Sequence, residues 1–150
     1  MIERRYDVEC IERIINDPDY GPPWTFGQDL DEIFKLHPNM IVLAGEYGFL
    51  AAAPVGNNIY DVHAGVLPAA RGAWTYVAGQ EALRYLFETA NADILLFRCP
   101  LGNVAASAGA RMLGAIYVAD RVIIIDDLTL PCRIYGLTRR RWLELTHRSN

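Results

Sequence analysis

One strand-to-helix turn contains the residues best suited to bind a charged ligand. An apolar strand pattern at residues 59–67 stops at Pro68, which has no N–H to continue a ladder, and a turn of small residues leads into a long helical pattern. The first N–H groups of a helix lack partners inside it, and the helix dipole makes this end electropositive. Gly72 allows close approach of a ligand and Arg71 adds a permanent cation. The pattern indicates either a phosphate or pyrophosphate site or an ordinary strand-to-helix connection, and both interpretations stay open at this point.

The length and composition of the chain limit the classes of protein to which it can belong. The 150 residues suit one compact domain, and 52% apolar with 21% charged residues is typical of a folded globular protein. The net charge of −4 argues against a general nucleic-acid binder, although residues 139–141 form a local basic run. Cys10, Cys99 and Cys132 have no metal-like spacing, so we expect reduced thiols and no metal site. With neither a signal peptide nor a membrane-spanning apolar run, the sequence predicts a soluble cytoplasmic protein.

The chain divides into an antiparallel part and a mixed part. Predicted before the turn are a short strand at 2–6, helices at 8–15 and 29–36 around a loop at 20–27, and strands at 40–46, 49–55 and 59–67. Short turns join the last three strands, so this meander must be antiparallel. Predicted after the turn are helices at 75–89, 103–113 and 137–145, and strands at 94–99, 116–119, 122–125 and 133–135. This order predicts a single α+β domain over residues 1–150.

Two stretches of this pattern resemble the GNAT superfamily of acyl-CoA-dependent N-acyltransferases. Residues 66–74 are similar to the family's V-x-P-x-x-R-G-x-G turn, with matches at Val66, Pro68, Arg71 and Gly72. Residues 103–115 are similar to its N-x-x-A-(seven)-G-F helix, with matches at Asn103, Ala106 and Gly114. One helix and one strand separate the two stretches, as in the family. The resemblance covers roughly residues 40–125.

The resemblance implies a fold and a cofactor. The fold is a layered α/β/α arrangement, in which flanking helices cover a mixed, mostly antiparallel sheet whose central strands, here residues 59–67 and 93–99, splay apart. The pantetheine arm of acetyl-CoA (coenzyme A) would lie between these strands, with its pyrophosphate on the turn N–H groups. Backbone groups near Val66 and Leu67 would bind the pantetheine and support the thioester carbonyl. The implied cofactor-binding residues are Val66, Leu67, Ala69, Ala70, Arg71, Gly72, Ala73, Trp74, Thr75 and Asn103.

Because the sequence departs from the family pattern, it does not identify the residue that would protonate the leaving thiolate. Trp74 stands where the second turn glycine is usual, where its ring would either cover the phosphates or obstruct them. Ala110 stands where the family frequently has a tyrosine acid. Tyr117 is the catalytic candidate to replace it, with Tyr135 and water as alternatives.

His63 is the candidate general base for an acceptor ammonium, with Asp61 two residues away on the same strand face. The family's acidic base often has the opposite parity, that of Val66. A β-bulge near Gly65 would reconcile the two positions.

Two functions follow from the resemblance. The first is an acyl-CoA-dependent N-acyltransferase that transfers the acetyl group of acetyl-CoA to a small-molecule or protein amine by direct attack in a ternary complex. The second is a GNAT-fold phage structural, assembly or host-interaction protein without transferase activity, because residues 62–74 also resemble GNAT-like proteins of tailed bacteriophages. We expect a homodimer or a phage protein assembly as possible partners, and the host cytoplasm as the location if a phage encodes the protein.

Overall fold

A single mixed sheet organises the described part of the chain. The computed structural model describes residues 3–4, 35–125 and 127–149. Its strands are β1 (Glu3–Arg4), β2 (Ile41–Ala44), β3 (Gly48–Gly56), β4 (Ile59–Val66), β5 (Ile94–Pro100), β6 (Ile116–Ile125) and β7 (Leu128–Thr138). Their order across the sheet is β1-β2-β3-β4-β5-β7-β6, and all neighbours are antiparallel except β4 and β5. The predicted mixed, mostly antiparallel sheet is confirmed.

The helices of the described part cover one face of this sheet and enclose an apolar core. They are α1 (Ala73–Arg84), which continues into a π-helical turn (Tyr85–Thr89), α2 (Val104–Met112) and α3 (Arg139–Arg148). Alternate strand residues and inward helix residues form the core, including Leu43, Leu50, Val62, Leu95, Leu137, Leu83, Leu86, Phe87 and Trp142. The rings of Phe87 and Trp142 stack with centroids 5.1 Å apart, so the π-helical turn after α1 packs against α3. None of the helices described here is long and apolar enough to cross a membrane.

The central strands β4 and β5 pair over only four residues. The ladder begins with Ile59 opposite Ile94 and ends with Val62 opposite Phe97. Beyond it β4 continues along β3 and β5 continues along β7. The two strands therefore part, and we call the space between residues 63–66 and residues 98–100 the fork. The splay that the resemblance implied is confirmed.

The C-terminal elements differ from the prediction in their lengths. β6 is one strand of 10 residues rather than two, because Asp120 and Arg121 stay in the ladder opposite Arg133 and Cys132 of β7. β7 has 11 residues instead of three, because it pairs with both β5 and β6. The last helix begins at Arg139 rather than residue 137, since Leu137 and Thr138 still pair with β5. The predicted helix at 8–15, the loop at 20–27 and most of the helix at 29–36 lie outside the described residues.

Candidate functional site

The turn after β4 depends on one glycine. Pro68–Ala70 form a 3₁₀ turn, and Gly72 is the N-cap of α1 with φ 109° and ψ −122°. An L-residue is strained in this conformation. No atom lies within 4 Å of the position that a Cβ would take. Gly72 is therefore required by the backbone conformation and not by lack of space.

Free N–H groups cluster at this turn. The N–H groups of Ala70 and Arg71 donate to carbonyl oxygens within the 3₁₀ turn at 3.0 and 3.3 Å, and that of Tyr76 donates at 3.0 Å to close the first turn of α1. Between them, the N–H groups of residues 72–75 have no hydrogen-bond partner among the described residues. The predicted donor set therefore shifts toward the helix, because Ala70 and Arg71 are engaged inside the turn. This arrangement can bind an anion.

Side chains reinforce the turn without filling it. The Thr75 hydroxyl donates to the Ala70 carbonyl at 3.1 Å and ties the first turn of α1 to the 3₁₀ turn. The Arg71 and Ala73 side chains are exposed. The Arg71 guanidinium therefore adds positive charge beside the free N–H groups.

The Trp74 indole packs beside the turn. Its ring meets the Tyr47 ring edge-on with centroids 5.6 Å apart, and one of its atoms lies 3.1 Å from where a Gly48 Cβ would be. Both partners lie at the start of β3, which borders β4 on the side away from β5. The indole therefore does not fill the fork.

One edge of β4 faces the fork with unpaired backbone groups. The Leu67 N–H donates to the Tyr47 carbonyl at 2.9 Å, and the Leu67 carbonyl accepts from Ala70 at 3.0 Å. Successive strand residues direct their backbone groups to opposite edges, so Ala64 and Val66 direct theirs toward the fork. In the described part of the chain no strand pairs with this edge beyond the fourth ladder position. Of the predicted pair, Val66 is available to a ligand and Leu67 is not.

Asp61, His63 and Arg98 form a polar cluster at the base of the fork. His63 Nε2 lies 3.4 Å and Arg98 Nε lies 3.2 Å from the same oxygen, Asp61 Oδ2. Asp61 is 6% exposed, and its Oδ1 has no hydrogen-bond partner in the part that the structure describes. Val62 and Phe97, the last ladder pair, point into the core, so the alternating residues of the cluster lie on the opposite sheet face.

The regular ladder between β3 and β4 determines on which face of the sheet the His63 side chain lies. β3 and β4 pair without interruption from Gly48–Val66 to Pro54–Tyr60, and the register shifts only between Pro54 and Gly56. β4 has no bulge near Gly65 that would reconcile the two parities, because every residue there has an opposite neighbour on β3. His63 stays on the face opposite to Val66.

Sequence reasoning missed Arg98. It interrupts an otherwise apolar strand, and a charged residue in a buried strand needs a partner. This signal could have marked the position. The partner itself could not be read from the sequence, because Asp61 lies 37 positions earlier and only the parallel pairing of β4 and β5 brings the two together.

Comparison with solved structures identifies the fold. The spermidine N-acetyltransferase of Vibrio cholerae in complex with CoA and spermine matches with a TM-score of 0.69 at 14% identity, over 95% of this chain and 97% of that one. A point mutant of the same enzyme, SpeG, matches with a TM-score of 0.74 at 13% identity, over 97% and 99%. The chain has the GNAT fold. No protein-family model and no curated protein matches the sequence.

The second GNAT-like stretch has a structural basis in the helix α2. The Asn103 side-chain oxygen accepts from the Ala106 N–H at 3.0 Å and caps the helix. Gly114, with φ 96°, follows its last turn, and a Cβ there would lie 2.4 Å from Leu145 Cδ1. The predicted helix and its glycine ending are confirmed. Ala110, where GNAT proteins frequently have a tyrosine, is buried in the core.

The two candidate tyrosine acids lie at different distances from the fork. Tyr135 is on β7, opposite Phe97 of β5, whereas Tyr117 is on the outer strand β6, opposite Tyr135. Strand spacing of about 4.8 Å places the Tyr117 backbone about 10 Å from β5. Tyr135 faces the core, so both rings lie on the sheet face opposite to His63. The role of Tyr117 stays a prediction, and its position favours it less than Tyr135.

The two cysteines near the fork, Cys99 and Cys132, are free and buried. Burial raises the pKa of both the Cys99 and the Cys132 thiol. On Cys132 the charge of Arg98 acts in the opposite direction to burial, and that of Asp61 acts in the same direction. Both thiols are therefore poor nucleophiles. Within residues 35–125 and 127–149 no three His, Cys, Asp or Glu side chains could hold a metal ion together.

Proposed function

We propose that this protein is an acetyl-CoA-dependent N-acetyltransferase that transfers an acetyl group to an amine by direct attack in a ternary complex. One observation carries the proposal: the open edge of β4 leads, within a few residues, to the free N–H groups of residues 72–75. A long ligand with a diphosphate at one end would use both features. The similar spermidine N-acetyltransferase was solved with CoA bound.

The residues of the turn and the fork fit this cofactor. The N–H groups of residues 72–75 and the Arg71 cation would hold the pyrophosphate. The backbone groups of Ala64 and Val66 would pair with the pantetheine, and the Asn103 side chain would contact it from the start of α2. When bound, acetyl-CoA supplies the acetyl group as an activated thioester. Backbone N–H groups at the fork would then stabilise negative charge on the carbonyl oxygen.

His63 would take the proton that an acceptor ammonium must lose before its nitrogen can attack. The ring lies at the base of the fork, and the Asp61 carboxylate, 3.4 Å from Nε2, orients it. Ala110 carries no hydroxyl, so the departing sulfur would take its proton from water or from a tyrosine. Catalysis then comes mainly from positioning and from backbone charge stabilisation.

Calorimetry with acetyl-CoA tests the binding half of this proposal. We expect the wild type to bind acetyl-CoA with micromolar affinity and Arg71→Glu to bind it at least about tenfold more weakly. The reason is that a carboxylate beside the pyrophosphate repels it, whereas the guanidinium attracts it. Arg148→Glu, an equal charge change at the far end of α3, is the matched control. A wild type that does not bind acetyl-CoA would contradict the proposal.

A thiol-release assay with a panel of amines tests turnover. His63→Ala should lower kcat by about 10²–10⁴-fold, the usual contribution of a general base. An unchanged rate would remove His63 from this role. Acetyl-CoA binding without turnover on any amine would instead support the alternative, a GNAT-fold phage structural, assembly or host-interaction protein, which the tyrosine-to-alanine departure at Ala110 favours.

A further inference from the structure

Arg98 has donors that the described residues leave unused. Its Nε lies 3.2 Å from Asp61 Oδ2, and its side chain is 34% exposed. Its two terminal nitrogens, Nη1 and Nη2, have no hydrogen-bond or ion-pair partner in the described part of the chain. Arg98 thus pairs with Asp61 through one of its donor groups, and the planar end of its partly exposed guanidinium has donors available for a ligand.

The Arg98 guanidinium lies close to His63, the proposed general base. His63 and Arg98 both lie within 3.4 Å of the same Asp61 oxygen, on one face of the sheet. The His63 side chain is 36% exposed. A small molecule whose amine reaches His63 therefore places its neighbouring atoms beside Arg98.

We propose that the acceptor is an amino-acid-like molecule, in which a carboxylate lies one or two carbons from the amine, and that Arg98 binds this carboxylate. The inference rests on the proposed function and names its substrate class. A guanidinium binds a carboxylate through two parallel N–H···O bonds, a geometry that the free Nη1 and Nη2 groups provide. Arg98 is then a specificity residue, and His63 keeps its role as base.

The charge balance of the cluster supports the same class of acceptor. The charges of Asp61 and Arg98 cancel, so the cluster gains a net positive charge when His63 takes the proton of the acceptor. A carboxylate beside Arg98 offsets this charge, whereas a polyamine adds to it. The expected acceptor therefore differs from the polyamine named for the similar Vibrio enzyme.

Matched pairs of amines test the proposal: glycine against methylamine, and β-alanine against propylamine, with spermidine as the polycation. We expect the carboxylate-bearing member of each pair to have a kcat/KM at least about tenfold higher, as removal of one bidentate charged contact predicts. Arg98→Leu should bring the ratio of the two kcat/KM values in each pair close to one, mainly by raising KM for the carboxylate-bearing amine. Arg98→Lys should retain part of the preference. Arg121→Leu, on the outer strand β6, is the matched control and should leave the ratio unchanged.

Ligand-observed NMR on the wild type with CoA present measures the same preference without turnover and without a variant. Equal or absent binding of the two members of each pair, or tighter binding of spermidine, would overturn the proposal. Calorimetry with acetyl-CoA reports separately on the proposed function. A wild type that binds acetyl-CoA but shows no carboxylate preference refutes only the substrate class.

Discussion

Arg98 Nε lies 3.2 Å from Asp61 Oδ2, and this ion pair joins two strands at the point where their ladder ends. Asp61 belongs to β4 and Arg98 to β5, next to the last ladder pair, Val62 and Phe97. Because Asp61 is nearly buried, solvent screens the pair less than it would at the surface. The ion pair holds the two strands at the base of the fork.

Asp61→Asn should lower the free energy of unfolding by about 1–3 kcal/mol, because it leaves the half-buried Arg98 cation without its counter-charge. Urea unfolding measures the change. Arg98→Gln and the double variant complete a cycle in which we expect a coupling of at least about 0.5 kcal/mol between contacting residues. Additive effects of the two substitutions would show that the ion pair contributes nothing.

Gly72→Ala should weaken acetyl-CoA binding at least tenfold and destabilise the fold by about 1–3 kcal/mol, because alanine is strained at φ 109°. Relief of that strain would turn the N–H groups of residues 72–75 away from a common point. Gly102→Ala is the control, since a Cβ there also meets no atom within 4 Å and the backbone is not in the positive-φ region. Equal binding by the two variants would contradict the role given to the turn.

Trp74→Gly restores the residue that the GNAT turn usually has. We expect a loss of stability of about 1–3 kcal/mol from the lost ring packing on Tyr47 and the helix cost of glycine. Acetyl-CoA affinity, measured by calorimetry, should stay within about threefold of the wild type, because the indole packs away from the fork. A gain of tenfold or more would mean that the indole obstructs the site.

The buried thiols predict a pH dependence of stability. A thiol whose pKa is raised by folding stabilises the fold fully below its unfolded pKa of about 8.5, and this contribution is lost as the pH rises through the folded pKa. Because burial raises the pKa of Cys99 and Cys132, the free energy of unfolding should fall as the pH rises above about 8.5.

Urea unfolding between pH about 7 and 9.5, in a Cys10→Ser background, measures the slope of the free energy of unfolding against pH. The double variant Cys99→Ala/Cys132→Ala should have a shallower slope, whatever its absolute stability. Identical slopes would show that the two thiols titrate alike in the folded and unfolded chains.

Local signals in the sequence predicted the turn and the meander well. Pro68 ends the strand because it lacks an N–H, and Gly56-Asn57-Asn58 marks a hairpin, so neither depends on distant residues. The fork was implied only by the resemblance. The length of the ladder between β4 and β5 depends on tertiary pairing of strands about 35 residues apart.

The parts that the sequence did not predict have non-local causes. Asp120 and Arg121 suggested a break in a strand, but the pairing of Asp120 with Arg133 keeps β6 continuous. The role of Arg98 depends on which residue of β4 stands beside it, and no local pattern specifies that register. His63 and Asp61 were predicted to share a face because strand alternation is local.

The short β4–β5 ladder divides the sheet into two panels, one of β1–β4 and one of β5, β7 and β6, which meet along a narrow seam. Each panel is held by its own antiparallel hydrogen bonds, so only the four ladder positions and the Asp61–Arg98 ion pair fix the angle between the panels in the described part of the sheet.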